Sequence, residues 1–151
     1  MLSEGEPAPD FELSNQDGEP VALSDFDGQH VVVYFYPRAD TPGCTTEACG
    51  FRDRWRDYRE REVTVLGVSD DPVADLADFA AKYDLPFDLL SDADGAVAAA
   101  YDSYGEREVA GETREVTLRN TYVVGPDGTV AAAFEGVDPE AHADEVLDAL
   151  D

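Results

Sequence analysis

Residues 31–53 read VVVYFYPRADTPGCTTEACGFRD, a passage from strand through turn to helix. Val31 to Tyr36 is β-branched or aromatic at every position, without alternation, which predicts a central strand covered on both faces. Pro37 ends it. Beyond the turn Thr41-Pro42-Gly43, the positions Cys44, Ala48, Phe51, Trp55 and Tyr58 recur at intervals of four, three, four and three, one stripe of a helix. Arg52, Asp53, Arg56 and Asp57 take the opposite side. The carboxyl edge of a central strand, where sites in open α/β sheets form, therefore leads directly to Cys44 in a first helical turn.

Working outward, Phe11-Glu12-Leu13 and Val21-Ala22-Leu23 flank Asp17-Gly18, the pattern of an N-terminal β-hairpin. Val63 to Val68 is a second β-branched run, and Asp71-Pro72 then reads as an N-cap with proline at the first helical position. The helix that follows runs to about Tyr83 with Val73, Leu76, Ala80 and Tyr83 inward. Phe87 to Leu90 is a short strand, Gly95 to Tyr101 a short helix, and Ser103 to Glu115 a polar insert without period, expected largely as loop. Leu118 to Val124 and Thr129 to Phe134 flank Gly125-Pro126-Asp127-Gly128 as a second hairpin, and Asp138-Pro139 caps a last helix lined by Ala143, Val146, Leu147 and Leu150. The order predicts one α/β domain over residues 1–151, a central mixed β-sheet flanked by helices.

The chain carries 35 Asp and Glu against 10 Lys and Arg, a formal net charge of −25, with Lys82 the single lysine. A hydrophobic fraction of 43% is too high for a disordered acidic tail, so the acid lies on a folded surface, as in a halophilic protein. Such charge argues against nucleic acid and anionic membranes as partners, since phosphate backbones are held by Lys and Arg. The start, MLSEGEPAPDFEL, has neither the basic nor the apolar segment of a signal peptide, and no stretch approaches 18 apolar residues, so a cytoplasmic protein is expected. There, two cysteines are more naturally catalytic or free than a permanent staple. Two Cys and two His, with His30 and His142 read as turn or surface residues, are too few soft ligands for a copper or zinc module; no metal or other cofactor is expected.

A free thiol has a pKa near 8.5, and its thiolate is the nucleophile, so a working cysteine needs a group that stabilises negative sulfur. A helix N-terminus supplies unpaired backbone N–H groups and the positive end of a dipole. Pro42 withholds a donor and stiffens the turn, while Gly43 lets the backbone approach a ligand. On the thiol alone, an inert buried cysteine is an equally good reading.

The string Pro37-x-x-x-Thr41-x-x-Cys44 resembles the active-site motif of the peroxiredoxins. The longer run Tyr34-Phe35-Tyr36-Pro37, Thr41-Pro42-Gly43-Cys44-Thr45-x-Glu47-Ala48-Cys49-x-Phe51-Arg52-Asp53 resembles their bacterioferritin comigratory protein, or peroxiredoxin Q, subgroup. Ala8-Pro9-Asp10-Phe11, Leu23-Ser24-Asp25-Phe26, Arg119-Asn120-Thr121-Tyr122 and Pro126-Asp127-Gly128 extend the likeness over nearly the whole chain. The resemblance implies a thioredoxin-like fold and reduction of small-molecule peroxides, both hydrogen peroxide and organic hydroperoxides. It makes Cys44 the peroxidatic residue, Thr41 a hydrogen-bond partner of sulfur and peroxide, and Pro42 a shield. It makes Arg119, expected on the strand Leu118 to Val124, the arginine that stabilises the thiolate and transition state, and Glu47 the acid that orients it. The resemblance implies that Pro37, Thr41, Gly43, Cys44 and Arg119 form the substrate site. Without the motif, Arg119 is a surface arginine and Glu47 a solvated helix residue.

Cys49 follows Cys44 by five residues, which in an intact helix sets the Cα atoms about 8 to 9 Å apart, facing about 140° away from each other. A disulfide needs them below about 7 Å, so pairing requires the first turns to unwind, eased by Gly43 and Gly50. The resemblance implies that Cys49 resolves the Cys44 sulfenic acid as an intramolecular disulfide, reduced in turn by a thioredoxin-type protein. The alternatives are a one-cysteine peroxidase using an external thiol, and a thioredoxin-like disulfide oxidoreductase, although Cys-x-x-Cys would be usual there and four residues intervene here. A monomer or weak homodimer is expected.

Overall fold

The structure, a computed structural model, describes residues 2–109 and 111–150. In chain order the elements are β1 (Glu12–Asn15), β2 (Pro20–Ala22), β3 (Val31–Phe35), α1 (Pro42–Asp53), α2 (Trp55–Glu60), β4 (Thr64–Ser69), α3 (Val73–Tyr83) and β5 (Asp88–Ser91). They continue as α4 (Ala96–Ala100), β6 (Tyr104–Val109), β7 (Glu112–Thr117), β8 (Thr121–Val124), β9 (Val130–Phe134) and α5 (His142–Leu150). Seven strands form one mixed sheet in the order β2-β1-β5-β4-β3-β8-β9. β3 runs parallel to β4, with Val31 opposite Thr64, and antiparallel to β8, with Val31 opposite Val124.

Period-two alternation explains why the run Val31 to Tyr36 shows no polar gap. Val32, Tyr34 and Tyr36 pack with Cys44, Ala48, Phe51, Leu76, Phe79 and Val146 on one side of the sheet. Val31, Val33 and Phe35 pack with Phe11, Leu23, Ala98, Tyr101 and Tyr122 on the other. The central strand is thus buried on both faces, as its composition predicts, and the N-terminal hairpin forms through β1 and β2.

Several expectations are corrected. The helix from Cys44 does not run unbroken to Tyr58: Arg54, at φ −104° and ψ 11°, separates α1 from α2. Contacts to α5 fix this corner, since Arg54 Nε bonds Asp144 at 2.8 Å and Tyr58 Oη donates to Ala143 O at 2.8 Å. Asp71 does not cap α3; its buried carboxylate accepts from Ser69 Oγ and from the Ala39 N–H, each at 2.7 Å. Phe79 and Leu76 are the buried residues of α3, and α5 begins at His142 rather than at Asp138-Pro139.

The insert expected as loop is the antiparallel pair β6 and β7, with Tyr104 opposite Thr117; within that stretch Ala110 lies outside the described residues. Gly111, at φ 82°, takes a left-handed turn conformation that suits glycine. A separate two-stranded ribbon has little core face, so its hydrophobic alternation is weak. Finally, β8 starts at Thr121, which leaves Arg119 in the preceding connection rather than on the strand.

Candidate active site

Thr41 is the N-cap residue of α1, with Pro42 in its first turn, and Thr45 N–H donates to Thr41 O at 2.8 Å as the first helical bond. The N–H groups of Gly43 and Cys44 consequently have no acceptor within the helix. Cys44 is 1% exposed, Cys49 half-buried, and both are free thiols.

Arg119 reaches this turn from the connection between β7 and β8. Its Nη2 donates to Cys44 Sγ at 3.3 Å and its Nη1 to Glu47 Oε1 at 3.1 Å. The backbone beneath it is braced: Val137 N–H donates to Arg119 O at 3.1 Å and Phe35 N–H to Asn120 O at 2.8 Å. Asn120, 3% exposed, fixes the same connection through its side chain, Nδ2 donating to Ser103 Oγ at 3.2 Å and Oδ1 accepting from Gly136 N–H at 3.0 Å.

Glu47 is not a solvated helix residue: its carboxylate is fully buried, and Oε2 has no hydrogen-bond partner. Burial pushes its carboxyl up to about 7, against the opposing pull of the Arg119 guanidinium. Glu47 falls three residues after Cys44 and four before Phe51, on the buried stripe, which is the sequence signal of its position.

Thr41 Oγ1 gives its hydrogen to Arg38 O at 2.8 Å rather than to the sulfur, which leaves its lone pairs free. Pro42 is exposed at the mouth of the turn. Pro37 and Arg119 line a groove of about 590 Å3 whose walls also include Tyr104, Val116, Leu118 and Glu135. The structure thus brings Cys44, Arg119, Glu47 and Gly43 together, with Pro37 beside Arg119, whereas Cys49 lies further along the same intact helix.

Three supporting residues escape the sequence reading. Asn120 and Asp71 hold the connections before Arg119's neighbour strand and before Thr41, respectively. His142, expected at the surface, is fully buried, with Nε2 2.7 Å from Thr121 Oγ1 and its ring edge-on to Phe51. Burial, and secondarily Arg119, lowers its pKa to about 4, so it is neutral near pH 7. Its period-matched neighbours Ala143, Val146 and Leu147 are the signal that marks it as inward.

A buried thiol at a helix N-terminus, faced by a guanidinium at the edge of a mixed sheet, defines a class: the thioredoxin-like thiol enzymes. The chain belongs to the AhpC/TSA family, whose profile matches residues 5–133. It is 43% identical to the peroxiredoxin Bcp of Escherichia coli over 99% of this chain and 96% of that one. Among solved structures, peroxidoxin BcpB of Mycobacterium tuberculosis superposes with a TM-score of 0.88 at 39% identity, covering 99% of this chain and 97% of that one. The bacterioferritin comigratory protein of Xanthomonas campestris, studied for alkyl peroxide reduction in trapped intermediate and ligand complexes, gives 0.91 at 34% identity, covering 98% and 97%. Among the described residues, no helix is long and apolar enough to cross a membrane.

Proposed function

We propose that Cys44 is the peroxidatic residue, reducing hydrogen peroxide and organic hydroperoxides with a protein dithiol as final reductant. Membership of the family makes the chain a thiol peroxidase, an enzyme that acts on peroxides with a reductant. The observation that carries the assignment is the 3.3 Å contact of Arg119 Nη2 with Cys44 Sγ at the start of α1.

The Cys44 thiolate attacks the terminal peroxide oxygen; the O–O bond breaks, Cys44 becomes a sulfenic acid, and the leaving hydroxide or alkoxide takes a proton to become water or an alcohol. Arg119 and the N–H groups of Gly43 and Cys44 supply fixed donors where charge develops. Thr41 Oγ1, its hydrogen already committed, accepts from the peroxide O–H. Glu47 holds the Arg119 fork from behind, and Pro42 screens the sulfur from bulk water.

Cys49 then attacks the sulfenic sulfur, forming a disulfide and releasing water, and a thioredoxin-type reductant restores both thiols. Helix geometry requires the Cys44 turn to unwind for this step. The enzyme works in the cytoplasm as a monomer or weak homodimer. Peroxide consumption in molar salt by wild type and Cys44→Ser tests the assignment: activity disappears in the variant, and activity that survives would overturn it.

A further inference from the structure

The C-terminal end of α3 touches the chain on both sides of the two cysteines, through contacts that the peroxidase chemistry does not use. On one side is Asp40, held at φ 59°, a left-handed conformation that aspartate tolerates better than most residues with a Cβ. Its carboxylate accepts from Lys82 Nζ at 3.0 and 3.1 Å and from Tyr83 Oη at 3.0 Å. On the other side, Arg52 Nη1 donates to the main-chain carbonyl of Tyr83 at 2.8 Å. Tyr83 thus meets one flank with its hydroxyl and the other with its carbonyl. Its ring is fixed edge-on against Phe79, with centroids 5.5 Å apart, and Lys82 Nζ lies 5.3 Å from the ring centre.

We propose that Lys82, Tyr83 and Arg52 are positioning residues for the regeneration step: they clamp both flanks of α1 and set how readily the segment between them unwinds. The proposal rests on the reading that Cys49 resolves Cys44. Residues Thr41 to Phe51 lie between the two anchors, and both cysteines lie among them. For the sulfurs to meet, that segment must leave the helix, and the contacts that hold its flanks to α3 must loosen with it. Such local opening has a frequency set by the contacts it loosens.

The Cys44 sulfenic acid has two fates. Attack by Cys49 forms the disulfide and releases water; attack on a second peroxide breaks its O–O bond and forms the sulfinic acid with water or an alcohol. Only the first needs unwinding. A clamp that restrains unwinding therefore lengthens the life of the sulfenic acid and raises the share lost to over-oxidation, without altering the first oxidation. A single exposed ion pair has a small effect; here the lysine and the tyrosine hydroxyl share one acceptor, and Arg52 secures the opposite flank.

The test uses Lys82→Met/Tyr83→Phe and Arg52→Met, which leave Cys44, Thr41 and Arg119 untouched, with Lys82→Arg as the conservative control. In the reduced protein, hydrogen exchange of the Thr45 to Gly50 amides accelerates by about two- to fivefold in both variants and stays at the wild-type rate in Lys82→Arg. Sulfinic acid formed per peroxide dose, read by mass spectrometry, falls by a similar factor, while the rate of the first Cys44 oxidation is unchanged. Unaltered exchange in both variants overturns the proposal, as does an unaltered sulfinic share. A wild type that forms no Cys44–Cys49 disulfide would instead overturn the resolving role of Cys49, a result separable from the exchange measurement.

Discussion

Gly43 and Arg119 are fitted to one another: a Cβ on Gly43 would stand 3.0 Å from Arg119 Nη2, the nitrogen that bonds Cys44 Sγ. The glycine is therefore a spatial requirement of the guanidinium, separate from any demand of backbone conformation. Gly43→Ala displaces the fork, and peroxidase kcat/KM falls by about tenfold or more toward the value of Arg119→Met, itself about 100-fold down. Because alanine suits a helix better than glycine, thermal stability does not fall with activity. The double variant is no slower than Arg119→Met alone; additive losses would show that the two residues act separately.

Glu47 and His142 give opposite pH slopes. The Glu47 carboxyl is raised from 4.5 to about 7, by burial first, so between those values the folded protein holds a proton that the unfolded chain has lost. That contribution to stability is full below about 4.5 and is lost as pH rises through about 7. His142 is lowered from 6.5 to about 4, so its contribution is full above 6.5 and is lost as pH falls through about 4. The two offset one another in the wild type. Relative to wild type, Glu47→Gln gains stability as pH rises through this window, and His142→Gln gains as pH falls. Urea denaturation across the range decides it: parallel curves for all three proteins would remove the assignment.

Cys49→Ser separates the two halves of the cycle. The variant consumes one equivalent of peroxide at Cys44 and then stops with thioredoxin as reductant. Labelling with a dimedone-type reagent finds sulfenic acid at Cys44. Undiminished turnover with thioredoxin would exclude the resolving role and favour an external thiol.

At a formal net charge of −25, self-repulsion weakens the folded state in dilute buffer. Molar salt shortens the Debye length to about 3 Å and screens it. The melting temperature accordingly rises between low and multimolar KCl, an expectation that follows from the acidic surface. A melting temperature independent of salt would contradict it.

Legibility in the sequence follows the range of the interactions. The strand, turn and helix start around Cys44 are written in adjacent residues, and β3 and the first turn of α1 form where period and turn chemistry place them, whereas the break at Arg54 has no local signal. Arg119 meets Cys44 across 75 positions, so no local pattern locates its side chain, and only the family resemblance singles it out. The misplacements share a cause. Asp71-Pro72 has the form of a cap, but the Asp71 carboxylate is drawn to Ser69 and Ala39 instead. The β6 and β7 ribbon carries charge on a pair of strands outside the main sheet, where burial writes no alternation into the chain. Glu47 and His142 sit at inward helical positions that their polarity disguises.

The distance in sequence between Cys44 and Arg119 also orders events during synthesis. Both cysteines leave the ribosome while Arg119 and the strand it precedes are still unmade, so the growing chain carries a thiol without its cation. Because a domain folds as a unit, the reactive centre comes into being only when β8 docks beside β3. A nascent chain, or a truncated product lacking residues after Leu118, therefore carries Cys44 without the guanidinium contact that the folded protein gives it.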